Sequence, residues 1–440
     1  MNNRQKLGIS ILQVKFHREN GKIFLQRTAE TKDELLYNLR RKKVEVRQLG
    51  KILLVNAGSS SVKWKLFEST NEEVIAKGLV ERINMPGSIF EVAYGTKKYS
   101  ENVDNLSYER AASMILEKLK ALGIIAQLSE IMGIGHRVVA GGQVFKHAVK
   151  LTEDKMKELK GLNDFAPLHN PTEIEYIEIM QKVLPTIPQY AVFDSQFFTA
   201  LPEMNAIYSI PYEYTKKFGV RRYGEHGISH DFLSKRAAVL LERPLSSLKM
   251  ITLHLGSGAS VAAEKDGKAF DTSMGFTPLT GLTMGTRAGD VDPSIIPYLM
   301  KKLDLSLEQI LKMLNTESGL LGLSGISPDM RDYAEHKDDP RIKLTVDIFI
   351  NRIVKYVGSY FAELGGLDAL VFAGGIGENN VKLRAEIIAR LKVLGFEIDP
   401  KLNQEGNEGV ISSQSSKTEI MLIPTNEELA MVRQIKEILE

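Results

Sequence analysis

From Lys51 onward, short apolar runs alternate with longer stretches that carry apolar residues at helical spacing. The run Lys51-Ile-Leu-Leu-Val55 predicts a strand, followed by the small-residue turn Asn56-Ala-Gly-Ser-Ser-Ser-Val-Lys63 and a second strand, Trp64-Lys-Leu-Phe67. Further extended segments are predicted at Val74–Arg82, Ile89–Val92, Ile131–Val139, Tyr190–Phe193 and Met250–Leu255. Helical spacing marks Tyr108–Leu122, Leu305–Leu314, Ile342–Leu364 and Val381–Leu394. Strands preceding helices in this way predict an α/β architecture. Residues 8–49 read separately, as two short strands around Glu19-Asn20-Gly21 and a helix from about Asp33-Glu34 to Arg40-Arg-Lys-Lys43.

One pattern occurs twice. Met250-Ile-Thr-Leu-His-Leu-Gly-Ser-Gly-Ala-Ser-Val261 repeats the apolar strand, Gly/Ser turn and second strand that begin at Lys51. In the first copy Gly58 allows a tight turn, and Ser59, Ser60 and Ser61 set hydroxyls beside unpaired N–H groups, a concave anion site that Lys63 can reach. Taken alone, an ordinary serine-rich hairpin turn accounts for it equally well. Two copies suggest a duplicated domain with a nucleotide between the halves. A third glycine-rich element, Asp368-Ala-Leu-Val-Phe-Ala-Gly-Gly-Ile-Gly-Glu-Asn379, predicts a strand ending in Gly374, Gly375 and Gly377 with a helix after it.

Composition narrows the class. The chain has 440 residues, 43% hydrophobic and 25% charged, which fits an ordinary globular protein of two or three domains. No run approaches the ~18 apolar residues of a membrane span. With no cysteine, disulfides, thiolate metal sites and cysteine nucleophiles are excluded, and the cytoplasm is the expected location. Residues 1–50 hold 12 Lys/Arg against 5 Asp/Glu, which leaves the rest mildly acidic and argues against nucleic-acid or membrane partners. Acids first and bases last along the helix at 33–43 suit its dipole, so that charge needs no ligand.

Candidate chemistry clusters in polar, glycine-flanked segments: His136-Arg137, Leu168-His169-Asn170-Pro171, Arg221-Arg-Tyr-Gly-Glu-His226-Gly-Ile-Ser-His230 and Met284-Gly-Thr-Arg287-Ala-Gly-Asp290. A magnesium ion accompanying ATP takes one or two carboxylates plus phosphates and waters. Asp194, Asp329 and Glu427-Glu428 are the candidates, although Glu427-Glu428 also fits the acidic first turn of a final helix capped by Thr425 or Asn426.

These motifs, in this order, resemble the acetate kinase family from Lys51 to the C-terminus. The resemblance rests on Asn56–Lys63, Gly135-His-Arg-Val-Val139, Ala166-Pro-Leu-His-Asn-Pro171, Val192-Phe-Asp194 and Arg221–Gly227, and continues through Asp271–Gly275, Met284–Asp290, Gly374–Asn379 and Pro424–Glu428. It implies two RNase H-like (actin-like ATPase) domains with nucleotide and substrate in the cleft between them, usually in a homodimer. The expected division is 49–199 with 428–440 as the first domain and 200–427 as the second, nucleotide-binding one. Residues 1–48 lie outside the resemblance, either as a translation start placed too early or as a small accessory module.

The implied roles follow residue by residue. Asn56 and Glu427 hold Mg²⁺, with Mn²⁺ as an alternative. Lys63, Ser59, Ser61 and the second hairpin (His254, Leu255, Gly256, Ser257 and Gly258) face phosphates. Asp329, Met330 and Arg331, with Gly375, Ile376, Gly377, Glu378 and Asn379, face the adenosine side of ATP or ADP. Arg137 takes the substrate carboxylate, and Val139, Leu168, His169 and Pro278 border it. Asp194, His226 and Arg287 are the catalytic set. The implied reaction is reversible transfer from ATP to acetate, giving acetyl phosphate; a propionate or butyrate kinase, or a nucleotide-binding regulator without transfer, are the alternatives.

Acetate is already ionised at neutral pH, since such acids titrate near ~4, so it needs no general base. Catalysis then consists of aligning two anions and neutralising charge on the transferring group. Asp194 is accordingly expected to orient an arginine or metal-bound water and not to accept a proton. Four departures from the family pattern stand out: Ser257 in place of asparagine, Ala140 and Phe198 in place of histidines, and Glu225 where an apolar residue is usual. A carboxylate facing acetate would repel it, so Glu225 is expected to point outward or pair with a cation.

Overall fold

The structure, a computed structural model, describes residues 15–19, 22–26, 50–167, 169–336 and 338–439. The chain divides into two compact units, Met1–Leu49 and Gly50–Glu440. In the first, strands β1 (Lys15–Glu19) and β2 (Lys22–Gln26) pair antiparallel with Glu19 opposite Lys22, as the Glu19-Asn20-Gly21 pattern predicts. The helix expected at 33–43 lies outside the described residues.

The larger unit is built on two sheets. The first comprises β3 (Lys51–Ala57), β4 (Ser61–Glu68), β5 (Val74–Glu81), β6 (Ser88–Tyr94), β7 (Lys97–Val103), β8 (Ile131–Val138), β9 (Val149–Lys150) and β10 (Gln189–Phe193). The second comprises β11 (Lys249–Leu255), β12 (Ala259–Lys265), β13 (Lys268–Thr272), β14 (Ala369–Ala373), β15 (Gly409–Val410) and β16 (Glu419–Leu422). Their spatial orders, β7-β6-β5-β4-β3-β8-β10-β9 and β13-β12-β11-β14-β16-β15, contain the same five-strand plan. In each, a hairpin is followed by two parallel strands: β3 lies beside β8 and then β10, and β11 beside β14 and then β16. The sequence echo between Gly58 and Gly256 is thus an echo of whole domains.

Helices cover both sheets. Those that bear on the site are α1 (Tyr108–Ala121), α2 (Asn170–Val183), α3 (Gly227–Leu240), α4 (Pro340–Leu364), α5 (Gly374–Asn379), α6 (Val381–Leu391) and α7 (Glu427–Leu439). Ser107 caps α1 by accepting from the Arg110 N–H, and Ala111, Ile115 and Leu119 carry its buried stripe onto Leu53, Val55 and Leu66 of the first sheet. On the opposite face Met431, Val432 and Ile435 of α7 pack against Ile52, Leu54 and Val192. The first sheet is therefore completed by a helix that follows the second. In the second sheet, Phe349, Ile353 and Val357 of α4 pack with Leu253, Val261 and Phe372.

Helix α3 touches both sheets. Ile228 packs with Tyr190 and Val192, whereas Leu233 and Ala237 pack with Met250 and Ala369. Both faces of this helix are thereby buried, which sets it where the two halves meet. One predicted boundary is refined: β14 ends at Ala373, and Gly374, Gly375 and Gly377 lie inside the short helix α5, with the predicted helix following as α6. No helix among the described residues is long and apolar enough to cross a membrane.

Candidate active site

Each sheet carries one of the two Gly/Ser hairpins, and His254 before the second turn stands 4.0 Å from Glu427 beside the first. In the first, β3 and β4 pair with Asn56 opposite Lys63, and the Gly58 N–H donates to the Ser61 carbonyl at 2.7 Å. Tyr108 Oη of α1 donates to the Gly58 carbonyl at 2.5 Å and fixes the turn from below. Ser59 is exposed at the tip, and Ser61 opens β4. Asn56, Lys63, Arg137 and Glu427 line one cavity of about 370 Å³, so four predicted ligand residues from four elements (β3, β4, β8 and α7) come together.

In the second hairpin the Gly256 N–H donates to the Gly258 carbonyl at 3.0 Å. A Cβ on Gly258 would lie 2.6 Å from Arg287 Nη2 and 3.1 Å from His226 Nε2. A side chain there would displace the Arg287 guanidinium and crowd His226, and the same distances show that the guanidinium and the imidazole both face this turn. Ser257 is exposed, and its carbonyl accepts from the Gly285 N–H at 2.8 Å, which ties the turn to the loop bearing Arg287.

Arg137, near the end of β8, and Asp194, just past β10, form a bidentate pair. Nε donates to Oδ1 at 3.0 Å, and Nη2 donates to Oδ2. Burial pushes the Asp194 carboxyl above its ordinary value and Arg137 opposes that shift. For Arg137, burial works against the charge, but Asp194 and Glu427 lift it above its ordinary value. The pair is charged, and its fork geometry fixes the guanidinium plane. Arg137 keeps Nη1 outside this pair, so only part of its fork is free for a substrate carboxylate.

Gly227 fastens His226 to the same place: its N–H donates to the Asp194 carbonyl at 2.8 Å. His226 itself holds a left-handed backbone, φ 60°, directly before α3. For a non-glycine residue this is strained, and such strain concentrates at functional sites. Its ring lies 4.4 Å from that of His254, and Arg287 Nη1 donates to the Pro278 carbonyl at 2.8 Å. Burial, with the charges of His254 and Arg287, holds His226 well below the ordinary histidine value; His254 is lowered to about 4, chiefly by burial. Both rings are neutral at pH 7.

The remaining predicted residues are distributed as follows. Val139 is buried, and its N–H donates to Glu173 Oε2 at 3.0 Å. His169 is exposed immediately before α2, whereas Leu168 lies outside the described residues. Arg331 and Asp329 pair with each other at the surface, and Met330 packs partly against the second core. Gly375, Ile376, Gly377 and Asn379 belong to α5, where Asn379 Nδ2 donates back to the Gly375 carbonyl. Glu378 Oε1 accepts from the Gly374 and Thr425 N–H groups at 2.9 and 3.1 Å, so that oxygen serves the fold and is not offered to a nucleotide.

Glu225 does not point outward. It is 6% exposed, and its Oε2 has no hydrogen-bond partner among the described residues. Burial raises its pKa well above the ordinary value, as does Asp194, while Arg137 and Arg287 pull the other way. A neutral carboxyl avoids the repulsion that motivated the outward expectation. Sequence reading also passed over Glu173, raised by burial to about 7, and the polar residues behind the histidines. Their one signal was that acids and hydroxyls stand inside apolar runs.

The oxygen donors of Asn56 and Glu427 suit a hard divalent cation better than a soft one. Glu427 is raised by burial, and His254 Nδ1 stands 4.0 Å from its Oε1. Among the described residues no three His, Asp or Glu side chains form a closed cage. The donor set fits a cation that takes its other ligands from phosphate and water.

The model of the Acetokinase family matches residues 51–433. The chain belongs to the acetokinase family. Acetate kinase 1 of Latilactobacillus sakei is 49% identical over 388 residues, spanning 88% of this chain and 98% of its own. The crystal structure of Porphyromonas gingivalis acetate kinase superposes with a TM-score of 0.84 at 40% identity, covering 89% of this chain and all of its own. A propionate kinase from Francisella tularensis superposes with a TM-score of 0.83 at 42% identity, covering 88% of this chain and 99% of its own. Family membership accounts for the repeated sheet plan and for the ATP/ADP substrate. The family match begins at residue 51, one residue into the larger compact unit.

Proposed function

We propose that this chain transfers the γ-phosphoryl group of ATP to acetate, reversibly, giving acetyl phosphate and ADP. A carboxylate oxygen of acetate forms the new P–O bond as the bond to the ADP oxygen breaks; no proton is exchanged. The observation that carries this reading is the Arg137–Asp194 pair set beside His226 and Arg287, both of which face a glycine hairpin. Two fixed cations and neutral imidazoles suit a reaction whose requirement is to align two anions.

The residues divide the work. Arg137, held in plane by Asp194, offers its remaining N–H groups to the acetate carboxylate. Lys63 and the Gly256–Gly258 turn take the phosphates, and Arg287 and His226 donate to the oxygens of the transferring group. Asn56 and Glu427 would hold Mg²⁺, which supplies charge neutralisation of the phosphates when bound. The adenosine lies toward Asp329–Arg331 and α5. A cytoplasmic homodimer is the form we assign on the resemblance, with 49–199 plus 428–440 as one domain and 200–427 as the other; light scattering of the purified chain tests the dimer.

Trapping acyl phosphate with hydroxylamine tests the reaction, with acetate, propionate and butyrate in parallel. Acetyl hydroxamate dependent on ATP and Mg²⁺ is the expected product. No hydroxamate from any acid would overturn the proposal, and a clear preference for propionate would move it to the propionate kinase alternative, the activity for which the Francisella neighbour is named.

A further inference from the structure

Behind His226 lies an unbroken series of hydrogen bonds that the phosphotransfer chemistry does not use. His226 Nδ1 meets Ser260 Oγ at 2.8 Å. The same oxygen meets His230 Nε2 at 2.8 Å, and His230 Nδ1 meets Thr252 Oγ1 at 2.6 Å. Thr252 Oγ1 is in turn 2.8 Å from Glu264 Oε1. Ser260, Thr252, His230 and Glu264 are each less than 1% exposed, and Glu264 Oε2 has no partner among the described residues. The series starts at a fully buried carboxyl and ends at the imidazole whose Nε2 faces the second hairpin.

We propose that the Glu264 carboxyl sets, through Thr252, His230 and Ser260, which nitrogen of His226 presents a proton to the cleft. The argument is a count of protons. Each hydroxyl has one hydrogen, and each neutral imidazole has one. With Glu264 protonated, its O–H donates to Thr252, Thr252 to His230 Nδ1, His230 Nε2–H to Ser260, and Ser260 to His226 Nδ1. His226 then carries its hydrogen on Nε2, where it can donate to a phosphoryl oxygen. With Glu264 ionised, every bond reverses: Thr252 donates to the carboxylate, His230 Nδ1–H to Thr252, Ser260 to His230 Nε2, and His226 Nδ1–H to Ser260. His226 Nε2 then bears a lone pair, which repels that oxygen. The two states differ by one proton, and a shift of each hydrogen by one bond releases it at His226 Nε2.

The surroundings select the productive state near neutral pH. Burial raises Glu264 to about 8, against the hydroxyls of Thr252 and Ser234, and Asp231 of α3 adds to the rise. His230 is held well below its ordinary value by burial and then by His254. His226 is held down by burial and by His254, Arg287, His230 and Arg137. Both rings therefore stay neutral while Glu264 titrates, so the change is in tautomer and not in charge. Glu264 is a positioning residue, and its catalytic meaning rests on the acetate phosphotransfer reading.

The test reads the tautomer directly. Nitrogen-15 spectra of histidine-labelled protein, with the His226 signal assigned through His226→Gln, distinguish Nδ1–H from Nε2–H. The wild-type chain is expected to show Nε2–H at about pH 6.5 and Nδ1–H at about pH 9.5. Glu264→Gln, whose amide donates but does not titrate, is expected to hold Nε2–H at both. An unchanged wild-type tautomer, or a Glu264→Gln protein that still switches, overturns the proposal; the wild-type spectra decide it even where the variant fails to fold. In the hydroxamate assay, kcat of the wild type is expected to fall above about pH 8, by tenfold or more, and Glu264→Gln to lose that fall. An alkaline limb shared by both proteins overturns the link to catalysis. Absence of hydroxamate from the wild type would sink the phosphotransfer reading separately, leaving the spectra to judge the series of bonds.

Discussion

Asp194 is the residue whose role is most constrained. Both its oxygens accept from Arg137, and substrate acetate has no proton to give up. Asp194→Asn keeps the shape but presents an amide to a donor. It is expected to lower kcat by about 10²-fold through misplacement of Arg137, with an unchanged pH profile. A loss confined to one limb of the profile would instead mark Asp194 as a base. Glu225 makes a second residue-scale prediction. Its buried carboxyl, raised by burial and opposed by Arg137 and Arg287, stands where an apolar residue is usual in the family. Glu225→Leu should raise the propionate-to-acetate ratio of kcat/KM by about tenfold, the usual value of one methylene in an apolar pocket. An unmoved ratio would place Glu225 away from the acyl group.

At the scale of elements, α3 and α7 do most to hold the cleft together. Ile435 of α7 is fully buried, and a Cβ on Gly135 of β8 would collide with its side chain. Ile435→Ala should cost about 2–5 kcal/mol, read as a drop in Tm with little change in KM. The hairpins, the parallel strands and α4 were legible because their patterning is binary. Helices α2 and α3 were not, for a physical reason. Helix α3 buries Ser229, His230 and Ser234 beside Ile228 and Leu233, since one face meets the site and the other the core. Helix α2 likewise buries Asn170 and Glu173. Polar residues placed inward for chemistry erase the apolar stripe that announces a helix. Glu264 was invisible in the same way: β12 is buried on both faces, so no alternation marked that residue as inward.

For the whole molecule, the buried acids make stability depend on pH in a predictable direction. Glu264 has a folded pKa of about 8, above the 4.5 of an exposed glutamate. The folded state therefore binds more protons between these values, and stability is lost as pH rises through that window. Glu264→Gln removes the effect. Its Tm relative to wild type should rise steadily from about pH 5 to about pH 9, by the equivalent of a few kcal/mol. A constant difference would mean that the carboxyl is not desolvated.

The return of α7 to the first sheet has a consequence for how the protein is made. Ribosomal synthesis delivers β3 to β10 early, but the helix that covers Ile52, Leu54 and Val192 emerges only after the second sheet is complete. The first half therefore waits, with an apolar face open to chaperones, while the second half folds as an insertion within it. Removing residues 427–439 would leave that face permanently uncovered. A released chain truncated just before Glu427 should consequently be protease-sensitive in its first half and resistant in its second.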